Sequence, residues 1–218
     1  MIMKLSKPRH AARTAGAILL MGAALAGCAP LLIGSAVVGG GLLATDRRTA
    51  GTQIEDESIE FKASARIREL ATLGHVRVTS YNRTLLLTGE VPSEKEKAAV
   101  EAAVSRVENV RAVVNELGIG GNSSLGSRST DAVIASKVKA TMVDAKDVHA
   151  NAYKVVSERG IVYLMGRVTE REATRGAEIA SSVSGVQKVV RVFEILSESE
   201  LANLGRSQNP APAAPAPR

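Results

Sequence analysis

Hydrophobic and polar positions along the chain are laid out twice in one order. The run Leu85-Leu86-Leu87-Thr88-Gly89-Glu90-Val91 is answered by Val162-Tyr163-Leu164-Met165-Gly166-Arg167-Val168, 77 positions later. Ser93-Glu94-Lys95-Glu96 is answered by Thr169-Glu170-Arg171-Glu172, Asn109-Val110 by Gly185-Val186, and Val113-Val114 by Val189-Val190. Self-similarity at a fixed offset marks a duplicated unit, and finding it decides the fold.

Each copy predicts the same series of elements. A first helix begins near Asp56 in copy one and near Asp131 in copy two, both residues suited to capping a helix N-terminus. In copy two, Ile134, Val138 and Met142 recur every four residues and form one apolar stripe. A strand follows, 76–81 and 153–158. Asn82-Arg83 and Arg159-Gly160 then make tight turns into partner strands 84–91 and 161–168. Gly89 and Gly166 interrupt those strands and suggest a bulge or a close backbone approach. A second helix opens on a capping box, Ser93 with Glu96 and Thr169 with Glu172, in which each residue satisfies the other's exposed donor. Asn109 and Gly185 tolerate the left-handed conformation that ends a helix. A third strand closes each unit, 110–117 and 186–196. The order is αββαβ, an α+β class. The last strand returns after a helix, so it can lie parallel to a hairpin strand. That gives a three-stranded mixed sheet with two helices on one face.

The first 28 residues read as an address rather than as fold. Lys4, Lys7, Arg9 and Arg13 precede an apolar run from Thr14 to Gly27, which ends in Leu25-Ala26-Gly27-Cys28. This ending resembles the lipobox of bacterial lipoproteins, which implies that Cys28 receives diacylglycerol, that residues 1–27 are cut away as a signal peptide, and that acyl chains such as palmitate anchor the mature chain. Ala29 after the Cys implies, by the sorting pattern of such lipoproteins, delivery to the outer membrane. The apolar run is short of the ~20 residues that span a bilayer. Residues 28–47 are then predicted to be a tether, Gly-rich around Gly39-Gly40-Gly41. Copy one occupies 48–121, a Gly/Ser-rich linker 122–129, copy two 130–197, and a disordered Pro/Ala-rich tail 198–218.

Composition removes several classes of function. The formal charge of +6 includes four cations of the signal, which leaves 24 Lys and Arg against 22 acidic residues. The chain has three Tyr, two Phe and no Trp, all scattered, so stacking on nucleic-acid bases is not expected. Cys28 is the single Cys, so no disulfide closes within one chain and no Cys-rich metal site forms. His75 and His149 precede equivalent first strands and read as loop residues, not as a metal pair. Glu94, Glu96 and Glu101 read as a solvated helix face. No HExxH, no GxSxG and no phosphate-cradling loop is present. The sequence therefore predicts a chain with no catalytic residues, no metal and no cofactor.

An αββαβ unit with a Gly closing the second strand, a Val two residues on, and a late Gly-Val before the third strand resembles the BON domain. Copy two carries the pattern from Val162 to Glu172 and at Ser184-Gly185-Val186; copy one departs only in having Asn109 for the late Gly. The likeness runs from about residue 48 to 197. With a lipobox ahead of two such copies, the chain resembles the DolP/YraP group of outer-membrane lipoproteins, and Thr45-Asp46-Arg47-Arg48 resembles that group's approach to its first domain.

The resemblance implies a periplasm-facing outer-membrane protein whose second domain binds anionic phospholipid through its first helix, in support of envelope integrity and at sites such as the division septum. The residues of this chain point to the same helix. With Ile134, Val138 and Met142 turned inward, Val133, Ser136, Lys137, Ala140 and Thr141 face outward. A Lys near lipid phosphates is worth about 1 kcal/mol at an anionic surface. Where that group can carry an aromatic, this chain has Val133. The competing expectation is an adaptor that touches outer-membrane assembly proteins or peptidoglycan through copy one. An envelope hydrolase lacks candidate residues.

Overall fold

The computed structural model describes residues 46–70 and 73–208, with side chains to residue 204. The signal peptide, Cys28 and most of the tether lie outside the described residues. Copy one comprises α1 (Ala50–Glu69), β1 (His75–Tyr81), β2 (Thr84–Val91), α2 (Glu94–Val104), β3 (Ala112–Asn115) and the two-residue β4 (Gly118–Ile119). Copy two comprises α3 (Leu125–Asp144), a 3-10 turn (Ala150–Ala152), β5 (Tyr153–Glu158), β6 (Ile161–Val168), α4 (Glu170–Ser181) and β7 (Lys188–Ile195); α5 (Glu198–Gln208) follows.

The predicted sheet topology holds in both copies. β1 and β2 pair antiparallel, β3 and β4 both pair parallel with β2, and the order β5-β6-β7 repeats the arrangement. In copy one the third strand is split. At the break, Leu117 turns into the core and its N–H donates to Asn115 Oδ1, not to the neighbouring strand. Both hairpin turns carry positive φ at both central residues, 49° and 65° at Asn82 and Arg83 and 53° and 73° at Arg159 and Gly160. Such turns match the right-handed twist of the strands they join. At Gly89 and Gly166 a Cβ would collide with the carbonyl of His75 and of Ala152, which accounts for the glycines as close approaches.

The helix starts differ from the sequence reading. α1 is capped by Thr49 and α3 by Ser124, each seven residues ahead of Asp56 and Asp131. The two aspartates are buried mid-helix, and each caps a hairpin instead. Asp56 accepts from Ser80 Oγ and from the N–H groups of Asn82 and Arg83 at 2.7–2.8 Å. Asp131 accepts from Ser157 Oγ, Arg159 N and Gly160 N at 2.8–2.9 Å. Burial alone would raise the Asp56 carboxyl, but the bonds from Arg83, Ser80, Arg48 and Asn82 hold it below the usual range. The same residue type is a good local cap and a good long-range acceptor, and tertiary structure uses it for the second purpose. The predicted linker consequently shortens, because 125–129 belong to α3.

The segment 198–218 is not wholly the disordered tail expected. α5 opens on a capping box, with Ser197 Oγ accepting from Glu200 N at 3.2 Å and Glu200 accepting from Ser197 N at 2.8 Å. Residues 209–218 lie outside the described part.

Two cores lie between helices and sheets. Ile59, Ala63 and Ile67 of α1 meet Leu85, Leu87 and Val100 in copy one, while Ile134, Val138 and Met142 of α3 meet Val162, Leu164 and Ala180 in copy two. A third apolar cluster joins the copies. Tyr81 and Leu86 from one sheet pack on Val156, Tyr163 and Met165 from the other. Each sheet thus buries both faces, one under its own helices and one against its sister sheet. Polar bonds rim this seam: Glu194 accepts from Asn82, Arg111 and Arg167, and Lys154 pairs with Glu60 at 2.8 Å.

Candidate lipid-facing helix

α3 positions the five residues singled out by the sequence. Asp131, Ile134, Val138 and Met142 are its buried line. Val133, Ser136, Lys137, Ala140 and Thr141 are all exposed, with Val133 at 52%. The structure therefore brings them together on one outer strip, as 3.6 residues per turn requires.

Two residues missed by the sequence reading extend that strip. Leu125 is 75% exposed and Val143 65%. Leu125 and Val143, 18 positions apart, lie on one line of the helix, and Val133 lies about 80° round from it on the same outer side. Val143 was legible from the period. Leu125 was hidden because the helix was started too late.

The hydroxyls on α3 are also less polar to the outside than their names suggest. Ser129, Thr130, Ser136 and Thr141 each donate to the carbonyl four residues back, at 2.9–3.0 Å. Such back-bonding occupies the hydroxyl proton on the helix itself. The strip then presents largely carbon to its surroundings, with Lys137 as its cation.

The neighbouring Lys139 plays another part. Its Nζ donates to Ala150 O at 2.6 Å and Tyr153 O at 2.9 Å, which ties α3 to the start of β5. Burial lowers its pKa, with Asp46 acting in the opposite sense. Lys139, Ser136 and Ala140 line an open groove of about 890 Å³ together with Asp46, Arg48 and Tyr81. The segment that leads from the N-terminus therefore enters the folded region beside α3.

That entry is fixed in place, where the sequence placed the end of a free tether. Arg47 is 7% exposed and forms a fork with Glu172, Nη1 to Oε2 and Nη2 to Oε1, both at 2.7 Å. Arg47 Nη1 also donates to Arg167 O at 2.8 Å. Glu172 is the third helical residue of α4 and completes the predicted capping box by accepting from Thr169 N at 3.0 Å. Burial would raise this carboxyl, but Arg47 and the Thr169 bonds hold it at about 2. Arg48 pairs with Asp46 and Asp56, both at 2.8 Å, and stacks over the Tyr81 ring at 4.2 Å. Sequence reasoning had no signal for the Arg47 pair, because its partner lies 125 residues away.

His75 is half-buried at the start of β1 and His149 is exposed ahead of the 3-10 turn. Among the described residues, no group of three or more His, Cys, Asp or Glu side chains is gathered to hold a metal ion, and no helix is long and apolar enough to cross a membrane.

Comparison with known proteins agrees with this architecture. The BON domain model matches residues 55–121 and 130–197. The chain is 40% identical over 183 residues to the outer membrane lipoprotein DolP of Haemophilus influenzae, covering 82% of this chain and 94% of that one. It is 31% identical over 151 residues to the 21 kDa hemolysin of Actinobacillus pleuropneumoniae, covering 68% and 78%. A solved structure of CdsD, a type III secretion structural protein of Chlamydia trachomatis, covers 70% of this chain and 98% of that chain at 13% identity, with a TM-score of 0.28, too low to bear on function. With two matched domains accounting for most of its folded length, the chain belongs to the BON-domain family, as a DolP-like dual-BON lipoprotein.

Proposed function

We propose that this protein is an outer-membrane lipoprotein, held at the periplasmic face through lipidated Cys28, whose second BON domain binds anionic phospholipid through α3 and so supports envelope integrity. The observation that carries this reading is the outer strip of α3. Leu125, Val133 and Val143 are exposed, the intervening hydroxyls are bonded back to the helix, and Lys137 stands among them. An apolar strip with a cation beside it suits the boundary between acyl chains and phosphate. The fixed entry of the N-terminal segment next to α3 supports the same orientation, since an anchor at Cys28 pulls from that side. The name of the Haemophilus relative supports the outer-membrane location. Recruitment by anionic lipid would concentrate the protein where such lipid is enriched, the division site included.

The test is co-sedimentation of the chain lacking its first 45 residues, which retains both cores, with vesicles of phosphatidylcholine alone or mixed with phosphatidylglycerol. Binding is expected only with the anionic lipid, and less at high salt because exposed charges are screened. Val133→Glu with Lys137→Glu should weaken it by more than about tenfold, given about 1 kcal/mol for each charge at the surface. Equal binding by the double variant would reject α3 as the face.

A further inference from the structure

The two first helices can be compared position by position through their buried lines. Asp56, Ile59, Ala63 and Ile67 of α1 correspond to Asp131, Ile134, Val138 and Met142 of α3, each 75 residues apart. The outward positions follow. Lys62 stands where α3 has Lys137 and Ala65 where it has Ala140. Phe61 replaces Ser136, Arg66 replaces Thr141 and Arg68 replaces Val143. The outer strip of α1 thus shares two residues with that of α3 and is richer in both an aromatic and cations. Phe61 is 72% exposed and Ile54, on the same line, 68%. They are the two most exposed large apolar residues of the helix, and no part of copy two covers them.

Charge is divided along α1 in a way that favours an anionic partner. Its first half, 50–60, carries Glu55, Asp56, Glu57 and Glu60. Three of these face structural partners: Glu55 pairs with Arg83, Asp56 caps the hairpin, and Glu60 binds Lys154 and Ser80 N. Its second half, 61–69, has Lys62, Arg66 and Arg68 against Glu69. The ion pairs of Lys62 with Glu108 at 3.0 Å and of Arg66 with Glu69 at 3.4 Å are exposed, and such pairs hold their charges loosely. Three of the acids of α1 are therefore engaged within the molecule and Glu57 is exposed, while Arg68 lies on the line of the exposed Phe61 and Lys62 and Arg66 stand to one side of it. An aromatic residue among Lys and Arg on the outside of a helix is the composition of a membrane-surface helix. Phe61 supplies in copy one the interfacial ring that copy two lacks.

We infer that α1 of the first BON domain is a second lipid-contacting surface, which docks on anionic bilayers through Phe61 with Lys62, Arg66 and Arg68. This rests on the reading of the protein as a lipid binder, but not on α3 being the face. It makes membrane contact a property of both copies.

The absence of Trp from the chain permits a direct test. Phe61→Trp and Val133→Trp each place one unique fluorophore on an exposed position of α1 or α3, in the chain lacking its first 45 residues. Each is titrated with the phosphatidylcholine and phosphatidylglycerol vesicles used above, with brominated lipid as quencher. The expected result is a blue-shifted, bromine-quenched emission at position 61 on anionic vesicles only. Arg68→Glu in the Phe61→Trp background should then reduce vesicle affinity by about tenfold or more. A shift at 133 with none at 61 overturns the inference and leaves the lipid reading standing. A shift at 61 alone upholds the inference and removes α3. No shift at either, with no co-sedimentation, rejects both and points to a protein partner for the exposed Phe61.

Discussion

Replacing Glu172 with Gln should cost the fold about 3 kcal/mol at neutral pH, and the route to that figure is the ion pair with Arg47. Glu172 is 2% exposed and its carboxyl is held at about 2 instead of the ordinary 4.5. Linkage converts that depression into about 3 kcal/mol of stability above pH 4.5, lost as pH falls from there toward 2. The sign follows from proton counting: between those values the unfolded chain binds the proton and the folded chain does not. Breaking a buried pair from one side is typically worth about 3–5 kcal/mol, since the remaining charge stays in a poorly solvating site. The two estimates agree. Urea unfolding followed by circular dichroism at pH 7 measures the loss. A cycle with Arg47→Met and the double variant isolates the pair, with a coupling of about 2–3 kcal/mol expected. The variant should also lose the part of the acid sensitivity that lies below pH 4.5. If Glu172→Gln stays within about 0.5 kcal/mol of the parent, or the two single changes simply add, the account of Arg47 as a clamp fails.

Glu158 should behave in the opposite sense. It is 2% exposed, neither carboxyl oxygen has a hydrogen-bond partner, and burial, reinforced by Glu90 and Asp131 against Arg77 and Arg159, raises its pKa. Its contribution is thus greatest below the ordinary carboxyl value and falls as pH rises through the raised one. Glu158→Gln should stabilise the protein at pH 7 relative to pH 5 in paired urea titrations, and a loss at pH 7 would contradict this. Asp131→Ala removes the acceptor of three bonds at the second hairpin and should cost about 2–4 kcal/mol in the same assay, because donors bound to a charged acceptor are left unmet. Gly166→Ala drives a Cβ into the Ala152 carbonyl and should cost about 2–4 kcal/mol, whereas Gly121→Ala, in open space, should cost under about 1.

The strands, the hairpin turns and the second helices were legible because their signals are local. Asn82-Arg83 and Arg159-Gly160 lie between β-rich runs, and Ser93 and Thr169 stand three residues before a Glu. The starts of α1 and α3 were misplaced because Asp56 and Asp131 carry the strongest local cap signal yet serve partners 24–29 residues away. The α5 capping box at Ser197 and Glu200 was equally local, but the Pro/Ala run beyond it drew the reading toward disorder. The seam between copies also left a trace. Leu85-Leu86-Leu87 and Val162-Tyr163-Leu164-Met165 do not alternate, as strands buried on both faces do not. The outer strip of α3 was legible in its middle, at Val133 and Lys137, and not in its back-bonded hydroxyls, which only the folded helix reveals.

The doubly buried sheets bear on how such a protein could have arisen by duplication. A lone copy would leave Tyr163 and Met165, or Tyr81 and Leu86, as a bare apolar sheet face. A single-copy ancestor with this face would have needed a second molecule of itself to cover it. Joining two copies in one chain replaces that concentration-dependent encounter with an intramolecular one. The tandem would then be a homodimer made permanent, after which each half was free to diverge on its outer helix while the shared seam was kept.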